Sequence, residues 1–137
     1  MSTAGAPMGS ARRPLILVVD DYDLLRSVVR MTLEDEGYDV ADAADGAEAL
    51  VLSQTVVPAL IILDVDMPVL DGPGFVAAYR AQPGPRAPIV LMTAAKDEPR
   101  WLAELGTIGH MRKPFDLDAL VRVVADVVGA PRSARSG

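Results

Sequence analysis

Residues 60–72 read LIILDVDMPVLDG, and the fold follows from how that stretch begins and ends. Four aliphatics in succession, Leu60 to Leu63, are too few for a helix and suit a strand covered on both faces of a parallel sheet. The run stops at Asp64, which sets a carboxylate at the carboxyl end of a central strand. That is the edge where open α/β sheets bind ligands. Asp66 follows, then Met67-Pro68, which cannot continue a ladder, and Asp71-Gly72, which reads as a turn. An acid at the mouth of a buried strand, leading into a stiff loop, has the form of a reactive centre.

Upstream the same pattern recurs, with the aliphatic run Leu15–Val19 ending in Asp20-Asp21. From Asp23 the period becomes helical: Leu25, Val28, Val29, Thr32 and Leu33 share a face, and Gly37 supplies a stop. Residues 38–43 read as a weaker, outer strand, and Asp45 caps a short helix through Ala49 and Leu50. Downstream, residues 72–81 carry a third helix weakened by Gly74, and residues 82–87 form a Pro/Gly loop. Residues 89–92 make another buried strand ended by Thr93. Residues 99–105 fit a short fourth helix with Pro99 at its start. Residues 108–112 are a poorer strand leading to Lys113-Pro114. Asp116 caps a final helix with Leu117, Leu120, Val121, Val124 and Val128 on one stripe. Right-handed crossovers between five strand–helix units give an α/β fold, a doubly wound five-stranded parallel sheet with five flanking helices. The pattern predicts a flexible arm over residues 1–13, one domain over 14–129 and a flexible tail over 130–137.

Composition agrees with one such domain and narrows its chemistry. The chain has 137 residues, half of them hydrophobic but only 4% aromatic, so Val, Leu, Ile and Ala must fill the core. No cysteine is present, which excludes disulfides and thiolate metal sites, and a single histidine excludes a histidine-cluster site. A formal net charge of −6 argues against a nucleic-acid-binding surface. No apolar run reaches the length of a membrane span. The expectation is a soluble, cytoplasmic protein.

The polar residues that end the apolar strands converge on one sheet edge: Asp20 and Asp21, Asp64, Thr93 and Lys113. Three close carboxylates repel unless a cation sits among them. Oxygen ligands without Cys or His suit Mg²⁺, with Mn²⁺ as the alternative. A lysine and a hydroxyl beside such a cation form a receptor for phosphoryl oxygens, and one carboxylate left as nucleophile gives an aspartyl phosphate.

On these residues, in this order, the chain resembles a response-regulator receiver domain over about residues 14–129. The resemblance implies the 2-1-3-4-5 strand order of the family's chemotaxis member. It implies phosphorylation of Asp64 by a histidine kinase or histidine phosphotransfer protein. Asp21 would bind Mg²⁺ directly and Asp20 largely through water, with the Asp66 backbone carbonyl as a further ligand. Thr93 and Lys113 would contact the phosphoryl group, and Lys113-Pro114 would be the family's cis peptide. Signalling to a downstream protein target would use the face of the fourth helix, fifth strand and final helix, as a monomer or a phosphorylation-dependent dimer. The implied role is that of a single-domain regulator which catalyses only its own phosphorylation and dephosphorylation, and is not otherwise an enzyme.

Two departures fall on that output face. The switch position three residues before the lysine, usually Tyr or Phe in the family, is His110, and the segment from Thr93 to Lys113 is short. Trp101 in that segment is expected to be partly buried without a binding role. Two other functions compete. One is a receiver-like interaction module that works without phosphorylation. The other is a haloacid-dehalogenase-type phosphatase, for which Asp64-Val65-Asp66 would be nucleophile and acid/base. In that family the metal-binding acids follow the nucleophile, whereas Asp20-Asp21 precede it, and Pro68 stands where Thr or Val is expected. Asp20 and Asp21 could also simply cap the first helix.

Overall fold

The computed structural model describes residues 13–65, 72–84, 86–93, 107, 109–113 and 116–129. In chain order its elements are β1 (Leu15–Val19), α1 (Asp23–Asp35), β2 (Asp39–Ala43), α2 (Gly46–Ser53), β3 (Leu60–Asp64), α3 (Gly72–Ala81), β4 (Ile89–Thr93), β5 (Gly109–Arg112) and α4 (Leu117–Val128). The strands form one sheet in the order β2-β1-β3-β4-β5, every neighbouring pair parallel. That is the expected 2-1-3-4-5 order, with the weak outer strand at an edge. Four of the five expected helices are described. The fourth in sequence, residues 99–105 with Trp101, lies outside the described residues, as do residues 1–12 of the expected arm and the tail 130–137.

Two apolar layers follow from the alternation of side chains along each strand. On one face Leu17, Val19, Ile61, Leu63, Ile89 and Leu91 pack against Ala49 of α2 and Phe75, Val76 and Tyr79 of α3. On the other, Ile16, Val18, Leu60, Ile62, Val90 and Met92 meet Val29 and Leu33 of α1 and Leu120 and Val124 of α4. Strands covered on both sides have no polar alternation, which is why they read as unbroken aliphatic runs. Each fully buried aliphatic contributes about 1.5–3 kcal/mol. Phe75 and Tyr79 stack at 5.6 Å between ring centroids. The Tyr79 hydroxyl accepts from the Ala87 N–H at 2.8 Å, tying α3 to the start of β4.

The helix ends are set locally. Asp45 accepts from the Glu48 N–H at 2.8 Å while Glu48 accepts from the Ala44 N–H, a reciprocal pair close to a capping box. Asp116 accepts from the Asp118 N–H at the start of α4. After α1, Gly37 takes φ 102, a left-handed conformation that favours glycine. Its N–H bonds the Glu34 carbonyl, and the Tyr38 N–H bonds that of Leu33. Tyr38 then lies buried, and its hydroxyl donates to the Gly129 carbonyl at 3.0 Å, joining the start of β2 to the end of α4.

Candidate functional site

Register brings the acids together. In the β1–β3 pair Val18 stands opposite Ile62 and Val19 opposite Leu63, so one further step sets Asp20 beside Asp64. Neighbouring strands lie about 4.8 Å apart, and Asp21 follows directly in the turn to α1. Carboxylate oxygens of Asp20, Asp21 and Asp64 all lie within 4.8 Å of one another. Asp20 is fully buried and Asp64 is 2% exposed, whereas Asp21 is exposed.

On the other side, Thr93 ends β4 and is buried, and its carbonyl accepts the Lys113 N–H at 2.7 Å. Because β4 lies between β3 and β5, the Lys113 side chain leans across the end of β4. Its ammonium reaches Asp64 Oδ2 at 3.2 Å and Asp20 Oδ2 at 3.3 Å. Burial works to lower the lysine pKa, but the charges of Asp64 and Asp20 overcome it and hold the group above its ordinary value. Lys113 therefore stays charged between two buried carboxylates.

Asp20 itself is fixed by backbone contacts. Its N–H bonds the Ala43 carbonyl at 3.1 Å, and its Oδ1 accepts the Tyr22 N–H at 2.8 Å. Tyr22 occupies the N-cap of α1 without a side-chain cap bond, so the Asp20 carboxylate satisfies a backbone donor at that helix start. Its Oδ2 is buried and, among the described residues, has no hydrogen-bond partner. The Lys113 ammonium stands within ion-pair reach of it at 3.3 Å. A buried carboxylate oxygen left in this way, in a cluster of hard oxygen donors with net negative charge, fits a divalent cation such as Mg²⁺. The chemistry open to such a site is nucleophilic attack by a carboxylate on an electrophile carrying anionic oxygens, with the Lys113 ammonium at hand to receive them and Thr93 at the end of the neighbouring strand.

The structure thus assembles five of the expected residues: Asp20, Asp21, Asp64, Thr93 and Lys113. The Asp66 carbonyl and Pro114 with its peptide bond lie outside the described residues. His110 is exposed on β5, beside a shallow groove with Val90, Val123, Asp126 and Val127. Arg26 is the neighbour that sequence reasoning passed over. Its guanidinium donates to the Asp20 carbonyl, Asp42 and Asp23. Only its position on the first turns of α1, just after the acids, hints at it. Among the described residues no helix is long and apolar enough to cross a membrane.

Comparison with known proteins agrees with this geometry. The family model described as the response regulator receiver domain matches residues 16–125. The alkaline phosphatase synthesis transcriptional regulatory protein PhoP of Bacillus subtilis is 39% identical over 125 residues, 86% of this chain and 52% of that protein. The chain spans about half the length of the first curated relatives it matches. The chemotaxis response regulator CheY4 of Vibrio cholerae superposes with TM-score 0.76 at 35% identity, covering 85% of this chain and 99% of that one. The response regulator TrrA of Thermotoga maritima, solved in complex with Mg²⁺-BeF, gives TM-score 0.73 at 30% identity, over 83% and 98% of the two chains. A five-stranded 2-1-3-4-5 sheet with this acidic pocket and these relatives has one meaning: the chain belongs to the response regulator receiver domain family of two-component signalling.

Proposed function

We propose that Asp64 accepts a phosphoryl group from the phosphohistidine of a histidine kinase or phosphotransfer protein. The observation that carries this reading is the buried Asp64 carboxylate, grouped with Asp20 and Asp21 and paired to Lys113 at 3.2 Å. An Asp64 oxygen attacks phosphorus as the P–N bond breaks; the electron pair leaves on the imidazole nitrogen, which takes up a proton. Asp21, Asp64 and the Asp66 carbonyl would hold Mg²⁺ or Mn²⁺, with Asp20 acting through water, and the cation would supply neutralising charge to the phosphoryl oxygens. Lys113 pairs with one phosphoryl oxygen and the Thr93 hydroxyl donates to another, which draws the ends of β4 and β5 toward the new charge. His110, three residues before Lys113, would pass that movement to the surface that β5 and α4 present. The working body is residues 14–129, acting in the cytoplasm on a protein target.

Intact-mass measurement with acetyl phosphate tests the assignment. Wild type gains one phosphoryl group with Mg²⁺ and none with EDTA, and Asp64→Asn gains none. Phosphorylation that persists in Asp64→Asn overturns it.

The finer reading, a regulator working as this domain alone, is supported by CheY4, of whose chain 99% is covered. The twofold longer transcriptional relatives favour the other arrangement, an output domain joined to the receiver. The mass of the native protein on an immunoblot distinguishes the two.

A further inference from the structure

We propose that Arg26 is a positioning residue for the divalent-cation site, holding the turn that carries Asp20 and Asp21 in its cation-ready shape. This rests on the reading of Asp20, Asp21 and Asp64 as cation ligands. The Arg26 side chain is only 16% exposed, and all three of its donor nitrogens are used. Nη1 donates to the main-chain carbonyl of Asp20 at 2.7 Å, Nε to Asp42 at 2.9 Å and Nη2 to Asp23 at 2.8 Å. Burial works against its charge, and the bonds to Asp42 and Asp23 overcome that. Asp42 is itself held from behind by Arg30 at 2.6 Å.

The three acceptors lie on three elements: the end of β1, the end of β2 and the first turn of α1. The planar fork of a guanidinium suits such a junction better than an ammonium does. Its contact with Asp20 is to the backbone, so the carboxylate is left free to face Asp64 and Lys113. Lys113 offsets part of the repulsion among Asp20, Asp21 and Asp64 before any cation arrives, and what remains favours an outward shift of the turn. A cationic clamp on the carbonyl between β1 and the acids resists the movement, in the way outer partners orient metal ligands.

Direct Mg²⁺ binding to the whole chain, by titration calorimetry or by competition with Mn²⁺ followed by paramagnetic resonance, tests this without any phosphorylation. Arg26→Met, which keeps the packing of the stem, is expected to weaken Mg²⁺ binding about tenfold. Arg26→Lys recovers part of the loss. Asp42→Asn, which removes the α1–β2 ion pair but leaves the bond to the Asp20 carbonyl, changes affinity less than about twofold. Amide exchange at Tyr22 without cation is faster in Arg26→Met than in wild type. Equal affinity in wild type and Arg26→Met overturns the proposal, as does an equal loss in Asp42→Asn, which would make Arg26 a simple staple between elements. If Arg26→Met does not fold by urea denaturation, Arg26→Lys is read by the same criteria. Failure of wild type to bind Mg²⁺, or unchanged binding in Asp21→Asn, removes the cation site itself. Strong wild-type binding with no Arg26 effect removes only this inference.

Discussion

Lys113 is the residue on which the resting site depends. Two buried carboxylates, Asp20 and Asp64, share its ammonium, and without it one of them would be buried uncompensated. On the proposed phosphorylation of Asp64 the same ammonium would gain a new, more highly charged partner, so its allegiance rather than its presence would change. Lys113→Ala is therefore expected to accept some phosphoryl group yet respond little to it. Beryllofluoride, which stands in for the phosphoryl group, should slow hydrogen exchange in β5 and α4 of wild type and leave Lys113→Ala almost unchanged. In the same experiment His110→Tyr should respond more fully than wild type, because a phenol can bury more apolar surface than the smaller imidazole in the groove with Val90, Val123 and Val127. A wild-type response in Lys113→Ala would remove it as transmitter, and identical responses in wild type and His110→Tyr would leave His110 a bystander.

At the level of elements, most of the architecture was legible because polar residues end apolar runs. The strands at Leu60 and Ile89 are buried along their whole length, and the terminators Asp64 and Thr93 are buried with them. The caps Asp45 and Asp116 and the stop at Gly37 stand where local chemistry demands. Asp20 read equally well as a helix cap, and its carboxylate does serve the Tyr22 N–H, so the two roles coincide in one side chain. Arg26 was not legible, since its partner Asp42 lies 16 residues away on another strand and no local pattern announces the pairing. The bond from Tyr38 to Gly129 spans 91 residues and was equally hidden. Burial, with the charge of Glu36 added, raises the Tyr38 pKa above its ordinary 10.0. A raised folded-state value means that its contribution is complete below pH 10 and fades as pH climbs through the folded value. Tyr38→Phe should cost about 1 kcal/mol at neutral pH through loss of the hydrogen bond. Urea melts should also show a gentler alkaline decline in the variant. An equally steep decline would assign it to other groups, Lys113 first among them.

For the molecule as a whole, the proposed cation site would trade resting stability for readiness. Acids that repel one another in the absence of metal become bonded groups when it arrives, so Mg²⁺ should stabilise the fold by mass action. At about a hundred times its dissociation constant the gain is about 2.7 kcal/mol, or roughly 10 °C in Tm for a domain of this size. Asp21→Asn should lose most of that shift while melting no lower than wild type in EDTA, because it removes a repelling charge from an exposed position. A calorimetric scan with and without Mg²⁺ decides the point. An undiminished shift in the variant would place the binding elsewhere.

The ion pair between Asp20 and Lys113 joins the end of the first strand to the end of the last. On a ribosome the acids of β1 and β3 emerge well before the lysine that compensates them. β1 moreover must wait for β3, two elements later in sequence than its first partner β2, before its second edge is closed. A nascent or truncated chain ending before Lys113 thus lacks both the counter-ion of these acids and the Leu120 and Val124 side chains that help cover the sheet. On the proposed reading, competence would then arrive only with the final strand, and an unfinished copy would stay silent instead of answering falsely.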